Sequence, residues 1–326
     1  MTAASLGLAA SCRNAMASDG PLAQGLPGYA PRPGQLAMAD AVAAAIERRS
    51  HLLVEAGTGT GKSMAYLLPA ALWALQNGER TVVSTNTINL QEQLIRKDLP
   101  FLQRATQLDF QVVLVKGRSN YLCKRRLESA AAEPGLFDSE HTGELNALHE
   151  WAEQTGDGSR EDLSFLPHKT IWEEVCCEAD QCSRSQCPHF GSCFFHQARR
   201  QAARADILVV NHALLLADLS LRSQTDNYSS LAVLPPFSSL VIDEAHHLEE
   251  VATRYLSYGW HVQHVEGENV RDIDRAIEKA KHSPRPSLII ARSHIGFGAP
   301  NKQDSHDAHG APLGADELKL TKQFFG

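Results

Sequence analysis

A chain of 326 residues, of which 43% are hydrophobic, is long enough for about two domains of ordinary size with buried cores. Its formal net charge of −7 gives no general attraction to nucleic acid, so any such contact must use local basic patches. The sequence has no run of 18 apolar residues, and we therefore expect a cytoplasmic protein that does not span a membrane.

The N-terminal region begins with an Ala-rich stretch, and we expect residues 1–19 to form a disordered tail. Arg32-Pro-Gly-Gln35 then precedes an Ala-rich pattern that predicts an amphipathic helix. Gln35 is a candidate to hydrogen-bond the edge of an adenine ring. An ordinary glutamine at a helix start is the alternative.

A glycine-rich loop lies between an apolar run at residues 51–55 and a helical pattern at residues 64–76. This is the strand, loop and helix context of a phosphate-binding loop, in which backbone N–H groups and the positive end of the helix face the phosphates. Lys62 is expected to reach the β and γ phosphates of ATP, and Ser63 to offer its hydroxyl to Mg²⁺. The motif has Ala56 where the strict pattern has glycine. The candidate ATP-binding residues of the loop are Ala56, Gly57, Thr58, Gly59, Thr60, Gly61, Lys62 and Ser63.

The next segment predicts a strand at residues 81–85 that runs into a polar loop and a helix over residues 86–94. Hydroxyl groups and helix N-termini at such a place commonly contact phosphates. This turn is therefore a second candidate phosphate contact.

Seven cysteines occur in the chain, and in a cytosolic protein they are expected to be metal ligands or core residues rather than disulfides. Three of them have the spacing C-x4-C-x5-C: Cys182, Cys187 and Cys193. Cys123 lies about 60 residues earlier, and Cys176 and Cys177 are rival ligands. Varied spacing favours an iron–sulfur cluster modestly over zinc, and scattered structural cysteines are the remaining alternative.

Basic and aromatic residues alternate around these cysteines. The basic residues are Lys124, Arg125, Arg126, Arg199, Arg200 and Arg204. The aromatic residues are Tyr121, Phe190, Phe194 and Phe195. Such a mixture suits a single nucleic-acid strand, which needs both stacking and phosphate contacts, and a solvated charged face is the equal alternative.

An acidic motif, Leu240-Val-Ile-Asp-Glu-Ala-His246, follows at the end of an apolar strand pattern. Asp243 is expected to hold the same Mg²⁺ as the phosphate loop, and Glu244 to orient or deprotonate the attacking water. The proposed catalytic residues are thus Lys62, Asp243 and Glu244. An acidic helix N-terminus is less favoured, because an unpaired carboxylate after a buried strand would be costly.

The C-terminal region has a different pattern from the rest. It predicts an amphipathic helix near residues 270–281, a buried strand at residues 288–291, and then a loop rich in Gly and Pro. One helix and one strand bury too little surface to fold independently.

The motifs of residues 20–247 occur in the order that the DinG-like branch of the XPD family of iron–sulfur DNA helicases has them, and this region resembles that family. The resemblance is carried by the phosphate loop, Gly117-Arg-Ser-Asn-Tyr-Leu-Cys123, the cysteine triplet, Asp206-Ile-Leu-Val-Val-Asn-His212 and Asp243-Glu-Ala-His246. Those proteins are superfamily 2 motors that use ATP to move 5′ to 3′ on single-stranded DNA.

The resemblance implies a [4Fe-4S] cluster in an insertion within the first RecA-like domain, with Cys123, Cys182, Cys187 and Cys193 as ligands. It also implies ATP contacts from Asp243 to His246, with His246 linking nucleotide state to DNA grip. The family's second RecA-like domain, with the arginine that completes the ATP site, does not follow His246. We therefore expect a motor that is truncated after the acidic motif and impaired.

Residues from about 255 onward resemble transketolase, at the end of that family's first thiamine-diphosphate domain. The resemblance is carried by Tyr255-Leu-Ser-Tyr-Gly-Trp-His-Val262, Arg285-Pro-Ser-Leu-Ile-Ile-Ala-Arg292, Ile295-Gly-Phe-Gly-Ala-Pro-Asn-Lys302 and His309-Gly-Ala-Pro-Leu-Gly314. His309 would stand where that family contacts cofactor and substrate, but the family's metal and diphosphate motif lies upstream of this segment and is missing. We expect His309 to have no functional site here.

The expected fold is α/β: a RecA-like P-loop domain with a parallel sheet and a helical iron–sulfur insertion, followed by a partial thiamine-diphosphate domain. The expected boundaries are 1–19 (tail), 20–116 and 205–253 (RecA-like), 117–204 (insertion) and 254–326 (transketolase-like). The expected function is that of a DinG-type 5′ to 3′ DNA helicase with ATP, Mg²⁺ and [4Fe-4S] as cofactors and single-stranded DNA as partner. The alternatives are a non-catalytic ATP- and DNA-binding iron–sulfur module and a thiamine-diphosphate-dependent transketolase fragment. The sequence leaves the oligomeric state open.

Overall fold

The structure is a computed structural model, and it describes residues 7–26, 28–57, 59–132, 139–253, 261–284, 287–305, 308 and 312–325. Thr58, His309 and the junction at residues 254–260 lie outside these ranges. Among the described residues, no helix combines the length and the apolar character that crossing a bilayer requires.

The chain begins with four helices: α1 (Leu8–Met16), α2 (Pro21–Gly25), α3 (Pro33–Arg48) and α4 (Lys62–Asn77). The prediction of a disordered tail to residue 19 is wrong for α1, because Cys12 and Met16 of this helix are fully buried in the main core. That core also contains Val42 of α3 and Leu67 of α4. The apolar face of α1 was overlooked, although Leu8, Cys12, Ala15 and Met16 have the spacing of one helix face.

A parallel four-stranded sheet forms the centre of the first domain. Its strands are β1 (Thr81–Thr85), β2 (Val112–Leu114), β3 (Ile207–Asn211) and β4 (Ser239–Ile242), in the order β2-β3-β1-β4. Val83 and Val209 pack into the core with α1, α3 and α4, whereas Val82 and Leu208 pack on the other side. This alternation buries both faces, as expected for a parallel sheet. The predicted α/β fold with a parallel sheet is confirmed.

Two helices follow β1 and lead to β2. Thr87 caps helix α5 (Ile88–Gln93) through a hydrogen bond from Leu90 N to its hydroxyl, 3.2 Å long. A π-helical turn, Leu94–Asp98, then joins α5 to α6 (Leu99–Thr106). The strand and helix predicted at residues 81–94 are confirmed.

A helical unit with its own core separates β2 from β3. Its helices are α7 (Lys124–Ala132), α8 (Ser139–Gln154), α9 (Lys169–Val175) and α10 (Phe194–Ala202). Leu148, Ile171 and Phe195 are buried together in that core. An isolated antiparallel bridge pairs Leu122 with Cys176 and fixes the start of the unit against the residue that follows α9.

The chain returns to the sheet through β3 and α11 (His212–Thr225), and α12 (Leu248–Thr253) follows β4. Arg222 of α11 is 2% exposed and pairs with Asp218, with 2.6 Å between Nε and Oδ2. Its guanidinium also donates to the backbone carbonyls of five residues, namely Asn227, Tyr228, Ser230, Leu234 and Pro235. Arg222 therefore fixes the loop that precedes β4. The acidic motif lies at the carboxyl end of β4.

The predicted strand at residues 51–55 is not formed. Residues 51–57 have no strand assignment, and the side chain of Leu53 is 77% exposed. β4, whose Leu240 is 37% exposed, forms the outer edge of the sheet within the described part of the chain. The apolar run before the phosphate loop and the edge of β4 are thus both uncovered.

The C-terminal region forms a small β–α–β unit of β5 (His261–Glu266), α13 (Val270–Lys281) and β6 (Ser287–Arg292), followed by α14 (Ala315–Phe325). β5 and β6 pair in parallel. The helix and strand predicted from the pattern are confirmed by α13 and β6. Leu288 of β6 packs with Leu216 of α11 and Ala252 of α12 in a small apolar cluster.

Candidate functional site

The glycine-rich loop ends at Gly61, where the backbone turns into α4. Gly61 has φ 82°, a conformation that disfavours any residue with a side chain. A Cβ at this position would lie 2.2 Å from Nε2 of Gln35, which donates a hydrogen bond of 2.9 Å to the Gly61 carbonyl. Gln35 is buried and supports the loop, and its adenine contact stays a prediction.

Two further contacts hold the loop on itself. The Thr60 hydroxyl donates to the Gly57 carbonyl at 2.9 Å, and the guanidinium of Arg32 donates to the Gly59 carbonyl. Ala56 lies in the segment without regular secondary structure that enters the loop. The loop is therefore fastened by the residues just before α3 as well as by its own side chains.

Lys62, the first residue of α4, brings the loop and the acidic motif together. Its Nζ lies 3.3 Å from Oε1 of Glu244, although the two residues are 182 positions apart. Both side chains are partly exposed, at 29% and 27%. The sequence predicted that these two groups belong to one site, and in the structure they are in direct contact.

Asp243 is bonded to α4 as well. Its Oδ2 accepts a hydrogen bond of 2.9 Å from the Tyr66 hydroxyl, and its Oδ1 accepts one of 3.0 Å from the Glu244 N–H. Burial, and then the nearby Asp243, raise the pKa of Tyr66 well above its usual value, so its hydroxyl remains a donor. The hydroxyl of Ser63 also bonds to Tyr66, so Ser63 and Asp243 contact the same side chain.

The acidic motif makes a tight turn after β4. The Asp243 N–H donates to the Ser84 carbonyl at 2.8 Å, and Glu244 then has φ 53°, in the left-handed region. His246 Nε2 lies 3.5 Å from Oε2 of Glu244, and its ring is 4.1 Å from that of His247. This turn directs the carboxylate of Glu244 toward both Lys62 and His246.

A buried histidine lies behind the turn. His212, the first residue of α11, is 1% exposed, and its Nδ1 is 2.7 Å from the hydroxyl of Ser84 on β1. Burial lowers its pKa below the usual value, although the neighbouring backbone of Glu244 acts in the opposite direction. A neutral imidazole thus joins the carboxyl ends of β1 and β3 directly beneath the acidic motif.

This burial predicts a pH dependence of stability that is specific to His212. Because the pKa of His212 is lowered on folding, the unfolded chain binds more protons at this group as the pH falls below about 6.5. The free energy of unfolding of the wild type should therefore fall more steeply between about pH 7.5 and about pH 5.5 than that of His212→Gln. Urea titrations at a series of pH values measure both curves. Parallel curves would contradict the assignment.

Five cysteines line one cavity in the helical unit: Cys123, Cys177, Cys182, Cys187 and Cys193. Of the two rivals, Cys177 faces this cavity, whereas the thiol of Cys176 donates to the Glu173 carbonyl at 3.7 Å. Sequence spacing alone did not distinguish them. The four ligands expected from the family resemblance all lie at this cavity.

Cys177 also changes the acidity of its neighbours. Its hydrogen bonds lower the pKa of Cys123 and of Cys193 to about 6, and the same contacts raise its own pKa far above the usual range. A lowered pKa favours the thiolate, which is the form of cysteine that binds metals.

The expected stacking surface near the cysteines is only partly present. Tyr121, Phe194 and Phe195 are buried in the core of the helical unit, so they cannot stack on bases, and that part of the prediction is wrong. Arg126 is 9% exposed and bonds the carbonyls of Cys176 and Glu173. The remaining candidates for phosphate contacts are exposed or partly exposed: Lys124, Arg125, Arg199, Arg200 and Arg204.

Sequence reasoning missed Tyr66, His212 and Ser84 as parts of the site. Tyr66 lies four residues after Lys62 on α4 and therefore on the same face of the helix. Ser84 and His212 lie at the carboxyl ends of two strands, which is where ligands bind in open parallel sheets. Both signals were present in the sequence.

Comparisons with known proteins match the two parts of the chain to different families. Residues 36–148 match the family model for the DEAD/DEAH box helicase, and residues 241–326 match that for the thiamine diphosphate binding domain of transketolase. The second match begins within β4 and includes the acidic motif.

Three of the similar curated proteins are two helicases and one exonuclease. The ATP-dependent DNA helicase YoaA of Haemophilus influenzae is 37% identical over 243 residues, which are 74% of this chain and 37% of that protein. The ATP-dependent helicase DinG of Mycobacterium tuberculosis is 40% identical over 240 residues, 68% of this chain and 35% of that protein. The 3′-5′ exonuclease DinG of Bacillus subtilis is 35% identical over 239 residues, 72% of this chain and 24% of that protein.

This chain thus spans between about a quarter and little more than a third of the length of these three relatives. Over that part, the sequence identity, the DEAD/DEAH box match and the geometry of the loop and acidic motif all indicate a helicase domain. The first three quarters of the chain therefore contain a DEAD/DEAH box helicase domain homologous to the YoaA and DinG helicases, and this domain continues into a segment that matches the thiamine diphosphate binding domain of transketolase.

Proposed function

We propose that this chain binds Mg-ATP between the glycine-rich loop and the acidic motif, as the first half of a DinG-type DNA motor. The observation that carries the proposal is the contact between Lys62 and Glu244, which brings a phosphate-binding lysine beside a carboxylate suited to orient water. On binding, the phosphates of ATP would replace Glu244 as the partner of Lys62. The Glu244 carboxylate would then be free to act as base.

The oxygen donors at the site fit a magnesium ion. Ser63 and Asp243 both bond to the hydroxyl of Tyr66, so a hydroxyl and a carboxylate are close together at the start of α4. Hydroxyl and carboxylate oxygens are the ligands that Mg²⁺ takes beside substrate phosphates. Bound Mg²⁺ would neutralise charge on the β and γ phosphates. Tyr66 would orient the Asp243 carboxylate toward it.

The cysteine cavity is proposed to hold a [4Fe-4S] cluster in an insertion that spans residues 117–204. Its ligands would be Cys123, Cys182, Cys187 and Cys193. The donor set fits, because these thiols line one cavity and two of them have pKa values near 6. When bound, the cluster would cross-link segments far apart in the sequence and stabilise the unit.

A variant of one ligand tests the identity of the metal. We expect the wild-type protein to be brown and to contain iron and sulfide, and Cys187→Ser to lose both, because a serine hydroxyl is a poor ligand for this soft cluster. Iron, zinc and acid-labile sulfide are measured on both proteins after anaerobic purification. Stoichiometric zinc without sulfide would establish a zinc site instead.

Single-stranded DNA is the proposed partner, with movement 5′ to 3′ in the complete motor and a cytoplasmic location. This rests on the helicase relatives and on the exposed basic residues of the helical unit. Turnover of ATP by this chain is proposed to be slow. The proposal is supported by the match of residues 241–326 to the transketolase domain rather than to a second motor domain, so we expect no arginine from this segment in the ATP site.

Two binding experiments test this proposal. A fluorescent ATP analogue should bind with dependence on Mg²⁺, and labelled single-stranded DNA should bind with an affinity that falls as salt rises, because phosphate contacts release counterions. Absence of nucleotide binding would refute the ATP site. DNA binding that is insensitive to salt would refute phosphate contacts.

The alternatives are distinguished by two further assays. A non-catalytic ATP- and DNA-binding module would bind both ligands but neither hydrolyse ATP nor unwind a duplex. A transketolase-like role, suggested by the match of residues 241–326, would require saturable binding of thiamine diphosphate that depends on Mg²⁺. We expect no such binding.

A further inference from the structure

Two carboxylates and one imidazole come together at one end of the C-terminal β–α–β unit. Glu266 is the last residue of β5, Glu268 lies in the turn before α13, and His294 lies two residues after β6. Each residue offers one ligand atom, and the three atoms lie within 4.8 Å of one another. The cluster therefore stands at the carboxyl ends of two parallel strands, which is where open α/β sheets bind their ligands.

Within the described residues, neither carboxylate of this cluster has a basic side chain as an ion-pair partner. Arg292 is the register partner of Glu266 in the sheet, and it makes no ion pair either. Two negative charges this close repel each other, and a divalent cation between them would replace the repulsion by attraction. The ion pairs of this unit join other residues: Arg275 with Asp272, Lys281 with Glu278, and His294 with Asp304.

The imidazole of His294 is held in one orientation by a carboxylate outside the cluster. Its Nδ1 lies 2.7 Å from Oδ2 of Asp304, and the Asp304 N–H donates to the Ile295 carbonyl at 2.9 Å. In the neutral ring this contact places the proton on Nδ1 and leaves the lone pair of Nε2 available. Histidines that bind metals usually donate their other N–H to a carboxylate or a carbonyl in this way. The His294 N–H also donates to Oε1 of Glu268 at 2.6 Å, which joins the loops after the two strands.

A cavity of about 700 Å³ beside the cluster gives an ion and its water a way in. It lies between β5 and α13, and Glu266 forms part of its wall. Glu266 is exposed, whereas Glu268 and His294 are half-buried. The wall also contains three basic residues, and their positive charge lowers the affinity for a cation, which we expect to be moderate as a result. These residues are Arg275, Lys279 and Arg292.

We propose that Glu266, Glu268 and His294 bind a divalent transition-metal ion, with Asp304 orienting the histidine. Carboxylate oxygens alone would suit Mg²⁺ or Ca²⁺, and the imidazole nitrogen shifts the preference toward first-row transition metals. Three protein donors leave further coordination positions for water. The ion would cross-link the loops that follow β5 and β6. This site is separate from the nucleotide loop and the cysteine cavity, so the proposal does not depend on the function proposed for them.

Titration of the full chain with Mn²⁺ alone, without nucleotide, tests the site. Mn²⁺ is the probe because thiolates select softer ions, so the cysteine cavity does not compete for it. The electron paramagnetic resonance signal of free Mn²⁺ measures the bound fraction. Glu266→Gln and His294→Gln each remove one donor, and Asp304→Asn removes the charge that orients the histidine. Glu278→Gln is the matched control, because it removes an exposed carboxylate from α13 of the same unit.

We expect Glu266→Gln and His294→Gln to raise the dissociation constant for Mn²⁺ by about tenfold or more, and Asp304→Asn to raise it by about tenfold. Glu278→Gln should bind as the wild type does, and Mg²⁺ should displace Mn²⁺ only in large excess. Failure of the wild type to bind Mn²⁺ would overturn the proposal. Wild-type affinity in both donor variants would also overturn it, because the ion would then be bound elsewhere. A loss in Glu278→Gln as large as that in Glu266→Gln would overturn it as well, since general attraction to negative charge would explain the binding. Circular dichroism confirms that the compared proteins are folded.

Discussion

Lys62→Ala is expected to raise the dissociation constant for Mg-ATP by roughly 100-fold or more, because charge-assisted hydrogen bonds to two phosphates are lost at about 1.5–3 kcal/mol each. The structure supports this variant as a clean test. Lys62 is partly exposed, and so is its one ion pair in the described structure, with Glu244, so removal of the lysine should cost the fold little. Isothermal titration with a non-hydrolysable ATP analogue measures the change.

The matched control is Lys97→Ala, which removes an exposed lysine from the π-helical turn before α6. It should bind the analogue as the wild type does. Thermal melting of both variants should give midpoints close to that of the wild type. Wild-type affinity in Lys62→Ala would show that the glycine-rich loop is not a phosphate site, and the assignment of Ser63 and Asp243 would lose its basis.

Arg222→Met is expected to lower the free energy of unfolding by about 3–5 kcal/mol, the range measured when one partner of a buried ion pair is removed. The variant leaves Asp218, which is fully buried, without its cation, and it leaves the carbonyls at residues 227–235 without their donor. A methionine has a similar volume, so the loss reflects charge and hydrogen bonds rather than a cavity. Guanidinium titrations followed by circular dichroism measure it.

Two further variants separate the sources of this loss. Arg222→Lys keeps the charge but cannot reach carbonyls in several directions at once, so we expect an intermediate cost. Arg204→Met removes an exposed arginine and should change the free energy of unfolding by no more than about 0.5 kcal/mol. A cost for Arg222→Met as small as that of Arg204→Met would mean that the loop before β4 is not held by this side chain.

Local patterns identified most of the elements that form the site. A run of apolar residues followed by Asp243 and Glu244 predicted a strand with acidic residues at its carboxyl end, and β4 has that form. The start of α4 at Lys62 was likewise evident from the glycines before it. Both predictions depend on signals within a few residues, where backbone preferences dominate.

The failures of sequence reasoning concern contacts between distant segments. Cys176 and Cys177 are adjacent, and only the pairing of Leu122 with Cys176 determines which of them faces the cavity. The aromatic residues near the cysteines looked available for bases, whereas tertiary packing buries Phe194 and Phe195. Residues 51–55 have strand composition but no strand, because pairing depends on neighbours as much as on propensity.

The uncovered edge of β4 has a consequence for handling the protein. An edge strand with free N–H and C=O groups next to exposed apolar side chains is a template on which other chains can pair, and the run from Leu52 to Val54 is itself a segment able to do so. Self-association should therefore increase with protein concentration. It should involve residues 52–54, which directly precede the nucleotide loop. Soluble yield, storage life and the apparent fraction of active sites are then linked, and dilution or a bound nucleotide should improve all three.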